Sequence, residues 1–380
     1  MRRRLLLALL LLAASGCGGG SGSTAAQKYT VLVDGYTDGT PVAFSAFFPK
    51  VVRIHAGDTV VFHSRYSGLP HTVALGRAVD TAFARLQQLA DNDPAALSKG
   101  PPPEYTALPR LLPAGPGDAN QAAAQPCVVA GKATIPTEGA CPQHELGAYD
   151  GTQQFASSGW LGAGQSWSVR FAKSTKPGTY RFVCQVHGPD MSGSVQVVGK
   201  STAVKDPAAV IAEGRAAREA SLQRVQPGFS LLRSGTVQHA LAGSGDPSAG
   251  DALITAFGPS ALTIPVGGTL AWTVIGTHSI AFNAPRDAIG LRREDSDGTP
   301  HVSDRAELPA GGPGAGPSAQ RPPSVIDGGS WDGTGFRSSG LIFGPPPPNT
   351  TQFKLRFTKA GTYDFLCTVH VGMTGTVTVR

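Results

Sequence analysis

Charge is scarce in this 380-residue chain: Asp, Glu, Lys and Arg make up 15% of it, against roughly 25% in an ordinary soluble domain. No block of Lys or Arg with interleaved aromatics occurs, so nucleic acid is not an expected partner. After the first sixteen residues there is no apolar run long enough to span a bilayer as a helix. Methionine is rarer still, with three in the whole chain, and there are five cysteines. What is plentiful is glycine (49) and proline (31), which suits an all-β protein with long loops better than a helical one. The length suffices for two or three domains, each with a core of its own.

The segment MRRR, followed by LLLALLLLAA, is a charged region and a short apolar run ending in ASGC. It resembles a bacterial lipoprotein signal, although Ala14 stands where such signals usually carry leucine. The resemblance implies removal of residues 1–16, lipidation of Cys17, and a Gly/Ser tether over 17–27. The protein is then expected outside the cytoplasm, held on a membrane surface by its acyl chains. Loss of Arg2, Arg3 and Arg4 leaves 29 basic residues against 26 acids, a net charge of +3 rather than +6.

Two stretches of the remainder repeat. FASSGWLGAGQSWSVRFAKSTKPGTYRFVCQVHGPDMSGSVQVV begins at Phe155, and FRSSGLIFGPPPPNTTQFKLRFTKAGTYDFLCTVHVGMTGTVTV at Phe336. Upstream, residues 46–62 mirror residues 256–272, and each copy then reaches a histidine, His71 in GLPHTVAL and His278 in GTHSIAF. The chain therefore carries one domain twice, over 28–199 and 231–380. Alternating segments such as SWSVRF, TYRFVC and GSVQVV, bounded by Gly/Pro turns, mark each copy as a small β-sandwich or barrel. A linker over 200–230 is expected to hold one helix, with Asp206 as N-cap and Pro207 in the first turn, stopping before Pro227 and lying on a surface. Each copy has a long insertion, 77–149 and 285–335, with one helical candidate at 80–90.

Residues two apart share a face of a strand, so Tyr180, Phe182 and Cys184 line one side, as do Tyr363, Phe365 and Cys367. Aromatic company on that face points it inward and puts each cysteine at the buried end of a strand. A histidine follows three residues later, His187 and His370, and then a methionine, Met191 and Met373. With Met1 set aside, these are the only methionines. Thiolate and thioether are soft ligands and imidazole is intermediate, which excludes calcium and magnesium; structural zinc sites rarely use methionine. Two histidines and a cysteine with a weak methionine is the blue-copper arrangement.

On these residues the chain resembles two cupredoxin domains of the plastocyanin and amicyanin kind. GLPHTV resembles the plastocyanin motif, and the Cys-x-x-His-x-x-Met loop of the second copy has the amicyanin spacing. The resemblance implies an all-β chain of two Greek-key domains in tandem, each holding one type 1 copper ion. The first ion's ligands would be His71, Cys184, His187 and Met191; the second's would be His278, Cys367, His370 and Met373. Two departures accompany it. The first copy has one more residue between histidine and methionine, and Thr72 and Ser279 stand where the family often has an asparagine bracing the cysteine loop. Cys127 and Cys141, together in one insertion of an exported protein, are expected to form a disulfide. His55, His63, His144, His239 and His301 form no second cluster in the sequence. The repeated DGT (150–152, 332–334) and SSG (157–159, 338–340) read as turn and scaffold residues, with serines available to brace the ligand loops.

The expected function is single-electron transfer through exposed edges of His187 and His370 to redox partner proteins. Copper sequestration or delivery is the alternative. A two-domain copper oxidase or nitrite reductase is the less favoured reading, because the chain has no His-x-His pair; on this reasoning it is a carrier and not an enzyme.

Overall fold

The computed structural model describes residues 25–35, 39–65, 70–93, 95, 121–136, 141, 143–244, 251–296, 298, 300–313, 324–344 and 350–380. Residues 1–16, expected as a signal segment, and Cys17 lie outside them. The chain is all-β with few helices, and its two domains are built alike. In domain 1 a five-stranded sheet runs in the order Phe47–Phe48, Lys28–Val33, Thr59–Ser64, Ser166–Phe171, Ala148–Tyr149. It faces a six-stranded sheet in the order Val51–His55, Gly188–Val198, Gly178–Cys184, Ala74–Leu75, Phe155–Ser157, Cys127–Val129. Domain 2 repeats the second sheet strand for strand: Ala261–Ile264, Thr374–Val379, Gly361–Leu366, Ala281–Phe282, Arg337–Ser339, Pro309–Ala310. Its other sheet runs Leu253–Gly258, Ala240–Ser244, Thr269–Val274, Thr351–Phe357, Val325–Trp331, and gains Val42–Ala43 from domain 1 at its edge.

The alternating pattern fixes which face is buried. Phe47, Phe62 and Phe182 meet edge to face between the sheets of domain 1, and Phe257, Trp272 and Phe365 occupy the matching places in domain 2. Such pairs add about 0.5–1.5 kcal/mol each beyond the area they bury. The repeated DGT closes the same turn twice. The Asp150 carboxylate accepts from the backbone N–H and hydroxyl of Thr152 at 2.9 and 2.7 Å, and Asp332 does so from Thr334 at 3.0 and 2.6 Å.

The connecting helix spans Pro207–Arg233, capped by the Asp206 carboxylate on the Ala209 N–H. It differs from expectation in two ways. It runs on through Pro227, and it is packed between elements of both domains rather than laid on a surface. Val225 and Leu232 bury with Phe44, Phe48 and Ile254, so apolar contacts beyond the proline offset the hydrogen bond that proline removes. The helical candidate in the first insertion forms as Arg77–Asn92. Both insertions contribute strands: Cys127–Val129 and Ala148–Tyr149 in the first, Pro309–Ala310 and Val325–Trp331 in the second. Cys127 and Cys141 are disulfide-bonded, with Cα atoms 5.1 Å apart. No helix among the described residues is long and apolar enough to cross a membrane.

Candidate metal centres

Cys184 ends its strand and Cys367 directly follows the end of its own. Both are buried free thiols. His71 is held by an isolated bridge to Leu161 and His278 ends the short strand Gly276–His278, while the loop after each cysteine turns His187 and His370 back toward the sulfur. Two groups result, His71 with Cys184 and His187, and His278 with Cys367 and His370; within each group the donor atoms lie within 4.8 Å of one another. It is the Nδ1 atoms that converge. His71 and His187 approach the Cys184 sulfur at 3.9 and 3.5 Å; His370 approaches the Cys367 sulfur at 3.4 Å and the His278 Nδ1 at 3.1 Å.

Both methionines are buried in the same clusters as their cysteines. Strand register gives them equivalent positions. Val183 pairs with Ser192 and Leu366 with Thr374, so Met191 and Met373 each immediately precede the partner of the residue before the cysteine. The extra residue of the first loop is taken up at Gly188, in the left-handed region at φ 63°, and by a register shift at Val183/Cys184.

Thr72 and Ser279 brace the cysteine loops. Their hydroxyls accept from the N–H of the residue after each cysteine, Gln185 and Thr368, both at 2.7 Å. Their own N–H groups point at the sulfurs, both at 3.4 Å. The SSG serines hold the next turn: Ser158 and Ser339 accept from the N–H of Val73 and Ile280, both at 2.9 Å. The insertion of domain 2 also bears on its site, because the Thr368 hydroxyl donates to the Ala306 carbonyl at 2.8 Å.

The electrostatics of the two groups differ. Burial works against charging His71, but the Asp34 carboxylate and the Cys184 sulfur more than offset it and raise its pKa to about 9. Burial likewise pushes the Cys184 thiol up, and His187 and His71 together pull it well below the usual thiol range. In domain 2 burial prevails. It raises Cys367, holds His278 well below the usual imidazole range, and takes His370 down to about 3. Asp34, which the sequence reading passed over, accounts for much of this contrast: it is wholly buried, with Oδ2 3.4 Å from His71 Nε2.

The donor set fits a soft cation. Two imidazole Nδ1 atoms and a sulfur share one small volume. At 3.1 Å the His278 and His370 Nδ1 lone pairs cannot both face each other bare, so they need either a shared proton or a cation that accepts both. Both domains have the cupredoxin fold.

No protein-family model matches the chain, and no curated protein matches it. Among solved structures, the cupredoxin auracyanin A, a "blue" copper protein of Chloroflexus aurantiacus, is 19% identical over 45% of this chain and 98% of its own, with a TM-score of 0.22. A copper-containing nitrite reductase of Thermus scotoductus is 12% identical over 93% of this chain and 68% of its own, at 0.22. A blue copper oxidase of Nitrosomonas europaea is 12% identical over 93% and 86%, at 0.19. The expectation that the chain is no enzyme is corrected here. Solved structures with likeness over 93–94% of this two-domain chain include copper nitrite reductases and copper oxidases, which are enzymes. The missing His-x-His pair had weighed against that class, but it bears only on how further coppers are bound.

A second correction concerns exposure. His187 is half-buried, and His370, expected as an open port, is 3% exposed although its neighbour Val371 is 59% exposed. His370 lies in the electrostatic field of Asp34 and His187 of the other domain. Domain contacts run alongside: Trp160 and Ala124 of domain 1 enter the core of domain 2, Val186 packs against both cores, and Arg292 donates to the Trp160 carbonyl at 2.7 Å. Of the remaining histidines, His55 bonds the Thr202 carbonyl, His63 the Ser166 hydroxyl, and His301 pairs with Asp295.

Proposed function

We propose that this is an exported redox protein holding two type 1 copper ions and moving single electrons through them. His71, Cys184, His187 and Met191 would hold one ion, and His278, Cys367, His370 and Met373 the other. The observation that carries the reading is the convergence, twice over, of a buried thiol with two imidazole Nδ1 atoms. Copper bound there supplies a one-electron Cu(II)/Cu(I) couple. The protein's own part is to hold the donors in place, so that little rearranges when the charge changes. Thr72 and Ser279 lock the cysteine loops, and their N–H groups donate toward the sulfurs and favour the thiolate. Burial excludes water from the donors and makes the metal hard to remove, which favours retention over delivery to an acceptor.

Val186, the residue before His187, packs against the cores of both domains, and this contact beside the site supports passage of an electron between the domains. The electron would then leave to a partner protein or to a small substrate. Lipidation at Cys17 would tether the whole to the extracytoplasmic face of a membrane.

The test is to load the full chain with copper under anaerobic conditions and oxidise it with ferricyanide. Two coppers per chain and an intense thiolate-to-Cu(II) absorption, bleached by dithionite and restored on reoxidation, are expected. A colourless protein that takes up no copper contradicts the proposal. Assays with nitrite, a phenol and a redox protein then distinguish turnover from carriage.

A further inference from the structure

Strand register aligns the two domains residue by residue at the start of each fold. Val31 pairs with Phe62 and Val33 with Ser64; Ala240 pairs with Trp272 and Ala242 with Val274. Arg65 and Ile275 then donate to the carbonyls of Val33 and Ala242. The residues that follow, Asp34 and Gly243, are therefore equivalents, and both adopt the left-handed backbone, at φ 61° and 75°. Their surroundings are not equivalent. The Asp34 carboxylate is wholly buried, with Oδ2 3.4 Å from His71 Nε2 and Oδ1 accepting from the Phe44 N–H at 3.2 Å. At Gly243 the His278 ring fills the place of a side chain: a Cβ there would run into Nε2. No carboxylate can reach His278 from that position; burial and the neighbouring His370 disfavour charge on its ring, and the Ile275 carbonyl alone opposes them.

A carboxylate behind a ligating imidazole fixes the ring's tautomer, leaves Nδ1 free for the metal, and makes the ring a stronger donor. Its negative charge also favours the more highly charged state of a nearby ion. We propose that Asp34 is a positioning residue that makes the two copper centres unequal, giving domain 1 the lower reduction potential. The inference rests on the copper reading above. With one electron in the chain, this ordering would favour its residence in domain 2, where His278, Cys367, His370 and Met373 would hold the ion, with no bond made or broken in the exchange.

The full-length variants Cys184→Ser and Cys367→Ser leave one site each, so their potentials can be assigned by spectroelectrochemical titration with dithionite and ferricyanide. The Cys367→Ser protein, reporting domain 1, is expected at the lower potential. Asp34→Asn keeps the left-handed backbone, which asparagine tolerates, and keeps an acceptor for the Phe44 N–H while removing the charge. In that background domain 1's equilibrium is expected to move about tenfold toward Cu(I), about 59 mV for a one-electron couple, with copper content and absorption retained. Equal potentials in the two single-site proteins, the reverse order, or a domain 1 potential unmoved by Asp34→Asn overturns the proposal. If Asp34→Asn does not fold, the order of the two single-site potentials decides. Failure of both sites to bind copper would instead refute the copper reading, and this inference with it.

Discussion

The two candidate metal centres bring the same residue types together at equivalent places in their domains, yet their settings differ in charge. In domain 1 a buried carboxylate stands behind His71 and the sulfur is drawn toward its thiolate; in domain 2 a glycine occupies that place and the group is held neutral. The difference shows how a duplicated fold separates what it keeps from what it varies. The bracing hydrogen bonds recur at matching distances, 2.7 Å from the cysteine loops and 2.9 Å from the SSG serines. The residues behind the ligands do not recur. Geometry is common to the two sites, and electrostatics is where they part.

The largest way to break the comparison is at its glycine. Gly243→Ala places a Cβ against His278 in a strained backbone. It is expected to abolish copper binding in domain 2 alone and to cost about 2 kcal/mol or more in stability, read as one copper per chain and a lower unfolding midpoint. Next is the disulfide, which only domain 1 has among the described residues. Reducing Cys127–Cys141 should cost about 3 kcal/mol for a loop of this length, seen in denaturant unfolding as destabilisation of domain 1.

Smaller effects sharpen the likeness. Ser158→Ala and Ser339→Ala each strand a buried backbone N–H. Both are expected to cost about 1–3 kcal/mol, and equal losses in chemical denaturation would confirm that the two serines do one job. The smallest effect belongs to Asp80 of domain 1. Burial raises its carboxyl to about 6, and the Arg181 N–H that it accepts at 2.9 Å only partly opposes this. The folded chain thus holds a proton that the unfolded chain releases near 3.8. Stability from this group is full below that value and declines as pH rises through about 6. Asp80→Asn should flatten the decline and gain at most about 1 kcal/mol at neutral pH, after discounting for partial exposure, measured as unfolding free energy against pH.

Much of this was legible in the sequence because a repeat displays its own constraints. The shared Gly-Thr-Tyr-x-Phe-x-Cys-x-Val-His marks a strand, its inward face and the turn that brings the histidine back to the cysteine, and the two internal methionines follow at equivalent register positions. The inner strands were readable from alternation. The insertions were not: Val325–Trp331 joins its sheet through parallel pairing with a strand more than twenty residues away, which no local pattern encodes. The linking helix was cut short at Pro227, since local propensity does not reveal the Phe44 and Ile254 surface that holds its last turns. His370 is buried, contrary to expectation; contacts from the other domain, such as those of Trp160 and Ala124 with the core of domain 2, are invisible within one repeat. Asp34 is hidden for a simpler reason: the sequence likeness of the two copies begins at residue 46, and only strand register sets Asp34 against Gly243.

The most direct test is X-ray absorption at the copper edge, on the loaded full chain and on the Cys184→Ser and Cys367→Ser variants. The account predicts nitrogen and sulfur ligation for both ions, with each substitution removing the thiolate contribution of one site and leaving the other unchanged. Copper surrounded only by nitrogen and oxygen, or a thiolate signal indifferent to both substitutions, would contradict it.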